Sequence, residues 1–471
     1  MGGLVGIVSK KDCKKDLFYA TDYHSHLGTV FGGMAIFDGT FKRKIHTIDK
    51  FQFKSRFVED IDFTNMEGNK GLGVISDRDA QPLVIKLKFG EFAICGSGYI
   101  NNQKELVEKL LQEGVVFSEM INDQINQIEI VGNLINKGED IKSGIEYMFS
   151  QIKGSMSLLL LCKDGIYAVR DKFGRTPLVL AEKQDSKIVV SETCSFKNLG
   201  FKTKKFLGPG EIILITENDI VQIKEPEKKL QLCTFLFVYT GFPASEYEGK
   251  SVQAFREKLG RSMASKDYVR PDFVSGIADS GTAYSYGYAS ESRIPISLPL
   301  LKYTPGWARS YVPPDQTTRD KIALMKQIVA EEILKEKKIV ITEDSIVRGT
   351  QLKNFLIAKL LDAGANEIHL RPACPPLMFP CPFLVATRSL DELFARKILK
   401  KLEQQGKRIE IGNYLDPDSQ EYKEMIKVME QDLGVTSLVY PKIEEVIEAI
   451  GLPKENLCTY CWTGKDDSGM A

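Results

Sequence analysis

The sequence lacks the features that would indicate a membrane or nucleic-acid partner. No apolar run approaches the ~18–20 residues that a membrane-spanning helix needs. The first nine residues lack the basic start and apolar core of a secretory signal peptide, so we expect none. The net charge is zero, because 63 Lys and Arg residues balance 63 Asp and Glu residues. Such a chain has no general attraction to duplex DNA or an anionic membrane, so we expect neither partner.

The chain also has no internal repeat and no low-complexity tract. Its 471 residues, 43% hydrophobic and 27% charged, are typical of a globular protein with a large core. At ~150 residues per domain, this length fits about three domains or two large ones. Nine cysteines without a secretory signal indicate thiols or metal ligands rather than disulfides, and therefore a reducing cytoplasm.

The first 230 residues predict an α+β domain of layered sheets. Short apolar runs alternate with glycines and charged pairs, as in strands separated by turns. The predicted strands are 4–8, 30–37, 71–75, 92–96, 156–162, 165–169, 177–180, 188–190 and 211–215. Apolar residues at helical spacing predict helices over 103–113 and 127–136.

From residue 231 onward the pattern changes to strands that alternate with helices. The predicted strands are 272–277, 338–342 and 367–372, and the predicted helices are 283–290, 351–363 and 390–405. This alternation indicates an α/β domain with a mostly parallel sheet. A charged connector at 224–229 separates the halves, so we predict domains over 1–230 and 231–471.

The most informative segment is 339–350, which reads Ile-Val-Ile-Thr-Glu-Asp-Ser-Ile-Val-Arg-Gly-Thr. A buried strand leads into two carboxylates, and a loop of hydroxyl and glycine residues then precedes a predicted helix. Free N–H groups at a helix start favour a phosphate, and carboxylates accept hydrogen bonds from a sugar diol. The segment therefore predicts a ribose 5-phosphate site. It is not a Walker loop, because Gly-Lys-Ser/Thr is missing. Taken singly, Asp344 could be a helix cap and Glu343 a surface residue.

This segment resembles the motif with which type I phosphoribosyltransferases bind phosphoribosyl pyrophosphate. Its end, Asp-Ser-Ile-Val-Arg-Gly-Thr at 344–350, resembles the amidophosphoribosyltransferase family of purine synthesis in particular, although that family usually has Asp where Glu343 stands. Ala278-Asp279-Ser280-Gly281 resembles the family's pyrophosphate loop, with Ala278 in place of Pro. Arg309 resembles an arginine of the loop that closes over substrate, and Lys326 a basic residue after that loop. Residues 303–307 depart from the family pattern.

The resemblance implies a site for phosphoribosyl pyrophosphate and Mg²⁺, in a homo-oligomer. The residues implied to bind the substrate are Glu343, Asp344, Ser345, Ile346, Val347, Arg348, Gly349, Thr350, Asp279, Ser280, Gly281, Arg309 and Lys326. The two carboxylates, Glu343 and Asp344, are also candidate Mg²⁺ ligands.

Cys458-Thr459-Tyr460-Cys461 forms a Cys-x-x-Cys pair, which alone could belong to a zinc site, a redox pair or an iron–sulfur site. Its sequence context resembles that of one branch of the family, which carries a structural [4Fe–4S] cluster on four cysteines. The resemblance implies that the ligands are Cys233, Cys381, Cys458 and Cys461. Cys374 is a possible competitor, and we predict that the other four cysteines, Cys13, Cys95, Cys162 and Cys194, are core residues.

The N-terminal half resembles a glutaminase whose N-terminal cysteine attacks the glutamine amide. In this chain Gly2 stands at the nucleophile's position, so no catalytic residue is assigned there. The family's oxyanion Asn-Gly is replaced by Ser97-Gly98, and its amine-binding Asp by Gln127. Arg78 is displaced from the position of the family's carboxylate-binding Arg. The resemblance therefore implies an inactive glutaminase domain.

Together these features favour a pentosyltransferase that makes 5-phosphoribosylamine from phosphoribosyl pyrophosphate and ammonia, the ammonia being free or supplied by an external donor. Two alternatives stay open. The chain could be a non-catalytic paralogue that binds phosphoribosyl pyrophosphate or a nucleotide and regulates a partner. It could also transfer the phosphoribosyl group to another nitrogen nucleophile, a reading supported by the altered segment 303–312.

Overall fold

The structure is a computed structural model. It describes residues 2–62, 66–121, 123–303, 325, 327–350, 352–384, 387, 389–466 and 468–469, and for 59–62 the backbone only. Across these residues, every helix is too short or too polar to cross a membrane.

Two antiparallel sheets form the N-terminal half. In spatial order the seven strands of the first sheet are Lys202–Phe206, Val179–Lys183, Ser186–Val190, Gly2–Ser9, Lys70–Ser76, Phe31–Phe37 and Phe41–Thr47. The six strands of the second sheet are Ile220–Lys224, Ile212–Ile215, Gly165–Val169, Gly154–Cys162, Gly90–Ile100 and Leu83–Leu87. The sheets face each other across a core to which the first contributes Leu4 and Val74, and the second Cys95 and Leu159.

Helices cover the outer face of each sheet. The helices on the first sheet are Lys14–Tyr23, Phe53–Asp62 and Phe196–Leu199. Gln103–Gln112, Gln127–Ile135 and Ile141–Gln151 lie on the second. The result is four layers, with both sheets between helices, whereas the apolar pattern of this half predicts only an α+β domain of layered sheets.

All nine predicted strands of this half are present, but four further strands form the edges of the two sheets. They are Lys202–Phe206, Phe41–Thr47, Ile220–Lys224 and Leu83–Leu87. Edge strands commonly carry charged, half-exposed side chains, which protect the edge from pairing with other chains. Phe41–Thr47, for example, contains three basic residues besides a histidine. A search for apolar runs therefore misses the basic edge strands Phe41–Thr47 and Lys202–Phe206, whereas the omission of Leu83–Leu87, which is mostly apolar, has no such explanation.

A parallel sheet of four strands organises the C-terminal half. In spatial order they are Phe273–Gly276, Lys338–Glu343, Glu367–Pro372 and Ser437–Leu438. Along Lys338–Glu343, Ile339 and Ile341 belong to the core on one face and Val340 to the core on the other. The face that carries Val340 is covered by the helices Val252–Ser265, Thr282–Ser292 and Ile443–Ile450. The opposite face is covered by the helices Ala358–Asp362, Phe394–Gln404 and Gln420–Leu433.

Smaller elements complete the described chain. The short strand pairs are Leu300–Lys302 with Gln327–Val329, Leu232–Cys233 with Leu457–Cys458, Glu246–Tyr247 with Lys250–Ser251, and Met120–Ile121 with Gln124–Ile125. The short helical segments are Ser25–Leu27, Thr193–Ser195, Leu236–Thr240, Glu331–Leu334, Leu352–Ile357, Leu390–Glu392, Ile411–Leu415, Lys454–Asn456 and Tyr460–Thr463.

Two predicted helices, 351–363 and 390–405, are not continuous α-helices. The first is π-helical over Leu352–Ile357 and α-helical over Ala358–Asp362. The second splits into a 3₁₀ turn, Leu390–Glu392, and the helix Phe394–Gln404. The split has a local cause, because the Phe394 N–H donates to the carbonyl of Val347 at 2.7 Å. That bond ties the helix start to the loop that follows the central strand.

Candidate functional site

The central strand of the parallel sheet ends at the two acidic residues of the motif. Glu343 is 9% exposed and Asp344 is 6% exposed. The Ser280 hydroxyl donates to Glu343 Oε1 at 2.7 Å, and the Asp344 N–H donates to the same oxygen at 2.9 Å. The structure thus brings the 279–281 loop and the 343–350 loop together at the carboxyl edge of the sheet, where α/β proteins commonly bind ligands.

The loop after Asp344 is anchored by its apolar members. Ile346 is buried in the core on one face of the sheet, and Val347 packs against the core on the other. Gly349 has a φ of +74°, and a Cβ there would lie 2.6 Å from the Phe394 ring. Glycine at this position is therefore required both by the backbone conformation and by the lack of space.

The polar members of the same loop have different surroundings. The Ser345 hydroxyl donates to Asp344 Oδ2 at 2.6 Å, and Thr350 is exposed. Arg348 forms an ion pair with Glu392 at 3.1 Å. The Thr350 hydroxyl donates to the Arg348 carbonyl at 3.4 Å. All three polar side chains therefore have protein partners, and the two hydroxyls can donate to a ligand only by rotating away from theirs.

The 279–281 loop packs closely on the central strand. A Cβ on Gly281 would lie 2.1 Å from the carbonyl oxygen of Thr342, so only glycine fits. The Thr342 hydroxyl donates to the Gly281 carbonyl at 2.8 Å. Asp279 points outward and forms an ion pair with Lys302. Lys302 is a basic residue at this site that the sequence interpretation missed, because it ends a short strand outside every motif.

Two predicted substrate residues, Arg309 and Lys326, lie outside the described residues. The residue after Lys326 is described. The Gln327 side-chain amide donates to the carbonyl of Ala278 at 2.9 Å, next to the 279–281 loop. The strand Gln327–Val329 thus lies beside the site.

The two carboxylates differ in environment from exposed acids. Burial and the neighbouring Asp344 charge raise the pKa of Glu343 well above its ordinary value. Within the described ranges, no three His, Cys, Asp or Glu side chains are grouped to hold a metal ion by themselves. The pair fits Mg²⁺ nonetheless, because Mg²⁺ is commonly held by one or two carboxylates together with substrate phosphates.

The four predicted cluster cysteines line one pocket, although they are far apart in sequence. The parallel pair of strands Leu232–Cys233 and Leu457–Cys458 places Cys233 beside Cys458. Cys381 and Cys461 line the same pocket. The N–H groups of Met378 and Phe379 donate to the Cys461 carbonyl at 2.9 and 3.0 Å, which joins the segment before Cys381 to the C-terminal turn.

The chemistry of this pocket fits an iron–sulfur cluster. Burial raises the pKa of the Cys233 thiol, and the nearby Cys458 and Cys381 raise it further, so binding a metal group would release protons. Among the described residues no three His, Cys, Asp or Glu side chains are placed to hold a metal ion, and the fit to a [4Fe–4S] cluster rests on the four cysteines, since such a cluster takes four thiolates. Two side-chain nitrogens of Arg175 in the pocket wall, Nε and Nη1, are buried without an acceptor.

The remaining cysteines do not line this pocket. Cys374 is buried, and burial raises the pKa of its thiol well above the ordinary value. Cys13, Cys95 and Cys162 are buried as predicted, whereas Cys194 is only partly buried. Cys374 lies next to the pocket without lining it, since its thiol lies against Trp462 of the pocket wall.

A second pocket, in the N-terminal half, surrounds Gly2. The Gly2 N–H donates to the Ser97 hydroxyl at 3.0 Å, and that hydroxyl lies 2.7 Å from the Gly2 carbonyl. Gln127 also lines the pocket, and its side-chain amide donates to Asp79 Oδ2 at 2.8 Å. These polar groups therefore pair with one another.

Arg78 lines the same pocket, although it is displaced in the sequence from the position of the family's carboxylate-binding Arg. Its guanidinium lies 4.8 Å from the Tyr99 ring centroid, and it donates to Gln124 Oε1 at 3.3 Å. The turn between the strands Lys70–Ser76 and Leu83–Leu87 brings Arg78 to the pocket.

Comparisons with known proteins agree with this architecture. The profile of the glutamine amidotransferase domain matches residues 72–198, a range that does not include Gly2. The chain is 28% identical to the amidophosphoribosyltransferase of Methanocaldococcus jannaschii, over 99% of this chain and 97% of the relative. It is 29% identical to that of Methanothermobacter thermautotrophicus, over 98% and 93%. These likenesses support a relationship between this chain and the amidophosphoribosyltransferase family.

Solved structures share the fold over the whole chain. The glutamine phosphoribosylpyrophosphate amidotransferase of B. subtilis, complexed with ADP and GMP, superposes with a TM-score of 0.83 at 23% identity, covering 100% of this chain and 98% of that one. A structure described as the allosteric regulatory enzyme of purine biosynthesis gives a TM-score of 0.81 at 22% identity, covering 99% and 96%.

Proposed function

We propose that this chain transfers a phosphoribosyl group from phosphoribosyl pyrophosphate to ammonia, without a glutaminase of its own. The observation that carries the proposal is the meeting of two loops at one sheet edge, where Ser280 binds Glu343. The family likeness of the whole chain supports the same reaction. The glycine at position 2 supports an external source of ammonia, because glycine has no nucleophilic side chain.

In the proposed reaction the ammonia nitrogen forms a bond to ribose C1 while the bond from C1 to the pyrophosphate oxygen breaks. Pyrophosphate takes the bonding electrons, and the new ammonium group loses a proton to water. Neutral ammonia is itself the nucleophile, so the protein needs only to position the reactants and stabilise charge. The product is 5-phosphoribosylamine.

Each loop has a part in binding the substrate. Glu343 and Asp344 accept hydrogen bonds from the ribose hydroxyls. Residues 345–350 hold the 5-phosphate with backbone N–H groups and the Ser345 and Thr350 hydroxyls. The 279–281 loop borders the leaving pyrophosphate, with Lys302 next to Asp279. Mg²⁺, held through Glu343 or Asp344, would offset the pyrophosphate charge when bound.

The proposal includes a structural [4Fe–4S] cluster on Cys233, Cys381, Cys458 and Cys461, which would join the segments that carry these cysteines. Iron and acid-labile sulfide analysis of anaerobically purified protein tests it. We expect iron in the wild type and its loss in Cys458→Ser, but not in the control Cys194→Ser. An iron-free wild type would refute the cluster.

The function is tested by pyrophosphate release from phosphoribosyl pyrophosphate and Mg²⁺ with ammonium, with glutamine, and with neither. We expect release with ammonium only. Release with glutamine would overturn the proposal that the glutaminase domain is inactive. No release despite substrate binding would favour the non-catalytic regulatory paralogue or another acceptor, which a panel of nitrogen nucleophiles would distinguish.

A further inference from the structure

A buried arginine from the N-terminal half faces the cysteine pocket. Arg175 is 1% exposed, and its Nη2 lies 3.3 Å from Asp466 Oδ1 and donates to the Ser468 hydroxyl at 2.6 Å. Its Nε and Nη1 have no hydrogen-bond partner among the described residues. Unpaired buried donors are costly, and more so on a charged group. Burial raises the pKa of the Cys458 thiol, and the Arg175 charge and a hydrogen bond from Arg175 lower it, so the guanidinium faces that sulfur. A thiol sulfur is a weak acceptor, so the two nitrogens indicate a stronger acceptor at the pocket.

The surroundings of Arg175 restrict where that acceptor can lie. The guanidinium carbon lies 3.6 Å from the centroid of the Phe383 ring, two residues after Cys381. The backbone carbonyl of Arg175 accepts a hydrogen bond from the Cys233 N–H at 3.3 Å. The side chain lines the pocket together with Cys458. Arg175 is thus held on several sides by residues near the cysteines, with its charged end at the pocket.

We propose that Arg175 is a positioning residue for the iron–sulfur cluster, donating from Nε and Nη1 to cluster sulfur atoms. This inference rests on the cluster proposed above. Four thiolates give such a cluster a net negative charge, which a buried guanidinium offsets. Reduction potentials of these clusters depend on net charge and on hydrogen bonds to sulfur. Because the reduced cluster carries one more electron, Arg175 stabilises the reduced form and raises the potential.

The proposal also gives Arg175 a role in cluster retention. Arg175 belongs to the N-terminal half and contacts both the C-terminal tail, through Asp466, and the wall of the pocket, through Phe383. Loss of its side chain would open the pocket to solvent and remove the link. We therefore expect the cluster to become easier to extract.

The experiment compares Arg175→Gln and Arg175→Lys with Arg170→Gln. Arg170 is a matched control: it is 0% exposed, forms an ion pair with Glu248 at 2.7 Å, and does not line the cysteine pocket. The proteins are purified anaerobically as full chains. Iron and sulfide content, the rate of iron loss to a chelator, and the midpoint potential from a mediated redox titration are measured for each.

We expect Arg175→Gln to shift the equilibrium between oxidised and reduced cluster about tenfold toward the oxidised form. For a one-electron couple, this shift corresponds to a midpoint potential that is about 59 mV lower. Iron loss to the chelator should be about tenfold faster. The values for Arg175→Lys should lie between those of the wild type and those of Arg175→Gln, because lysine keeps the charge but not the planar donors. If Arg175→Gln binds no iron while Arg170→Gln does, that also supports the proposal.

Two results would overturn the inference. The first is that Arg175→Gln has the same midpoint potential and the same rate of iron loss as the wild type or as Arg170→Gln. Arg175 would then be a packing residue, and the cluster proposal would stay intact. An iron-free wild type would remove the cluster itself, and the role of Arg175 with it.

Discussion

Tyr247 donates a hydrogen bond of 2.5 Å to Glu192 Oε1, and this contact joins the two halves of the chain. The other carboxylate oxygen accepts from the Ser245 hydroxyl at 2.9 Å and lies 2.9 Å from His26 Nε2. Glu192 is 1% exposed. A buried carboxylate with this many partners holds segments from both halves in one arrangement.

The ionisation of Glu192 predicts how the stability of the folded protein depends on pH. Burial alone would raise the pKa of Glu192, but His26, His24 and the Tyr247 hydrogen bond lower it, to about 2 from an ordinary value of 4.5. Because the folded pKa lies below the unfolded one, the carboxylate stabilises the folded state above pH 4.5. This stabilisation is lost as the pH falls from 4.5 toward about 2.

Glu192→Gln should therefore unfold more easily at pH 7, by about 3 kcal/mol, since it removes the charge of a buried carboxylate that accepts hydrogen bonds from Tyr247 and Ser245. It should also lose less stability than the wild type between pH 4.5 and about 2. Urea unfolding across this range measures both effects. The exposed pair Lys86 and Glu91 provides the control Glu91→Gln, which should change stability little. Parallel stability curves for Glu192→Gln and wild type would contradict the assignment.

The sequence identifies two loops that the structure brings together at one sheet edge, because each loop combines local chemistry with a strand end. Asp344 follows a run of buried β-branched residues, and Gly281 opens a helix, so their positions depend on short-range pattern. Arg175 and Lys302 could not be found in this way. Their roles depend on tertiary contacts with residues distant in sequence, such as Asp466, and an isolated basic residue has no pattern that predicts such contacts.

Removing the charge of one acidic residue tests the ribose site. Asp344→Asn should weaken binding of phosphoribosyl pyrophosphate about 10- to 100-fold, because hydrogen bonds to a charged group contribute about 1.5–3 kcal/mol. Its fold should survive, since an amide occupies the same space. Isothermal titration calorimetry measures the affinity. Asp362→Asn, at an exposed helix end, is the control and should bind as the wild type does. Unchanged affinity in Asp344→Asn would exclude this carboxylate from the site.

The tight packing of the 279–281 loop gives a second test of the site. In Gly281→Ala the new methyl group would lie 2.1 Å from the Thr342 carbonyl oxygen, so the loop must move. We expect a loss of about 1–3 kcal/mol of stability, which is typical of overpacking, together with weaker substrate binding. Gly412→Ala is the matched control, because a Cβ there meets nothing within 4 Å. Thermal unfolding and calorimetry of both variants give the comparison. Wild-type stability in Gly281→Ala would mean that the loop packs less closely than described.

Restoring a thiol at position 2 should not restore glutamine hydrolysis. A Cβ on Gly2 would lie 2.5 Å from the Ile75 carbonyl oxygen, so Gly2→Cys must shift one of two paired strands. The amide of Gln127 is already bound to Asp79, which leaves no free carboxylate at that point for a substrate amine.

We therefore expect no glutamate release from glutamine by Gly2→Cys, and a loss of about 1–3 kcal/mol in stability. Ser97→Ala serves as a control that alters the same pocket without adding a thiol, and it too should release no glutamate. Ammonium-dependent pyrophosphate release should persist in both variants, because the sheet edge that carries Glu343 is separate from this pocket. Glutamate formation by Gly2→Cys would mean that the pocket keeps its substrate-binding geometry and lacks only the nucleophile. The proposed lack of glutaminase activity would then depend on one residue rather than on the whole pocket.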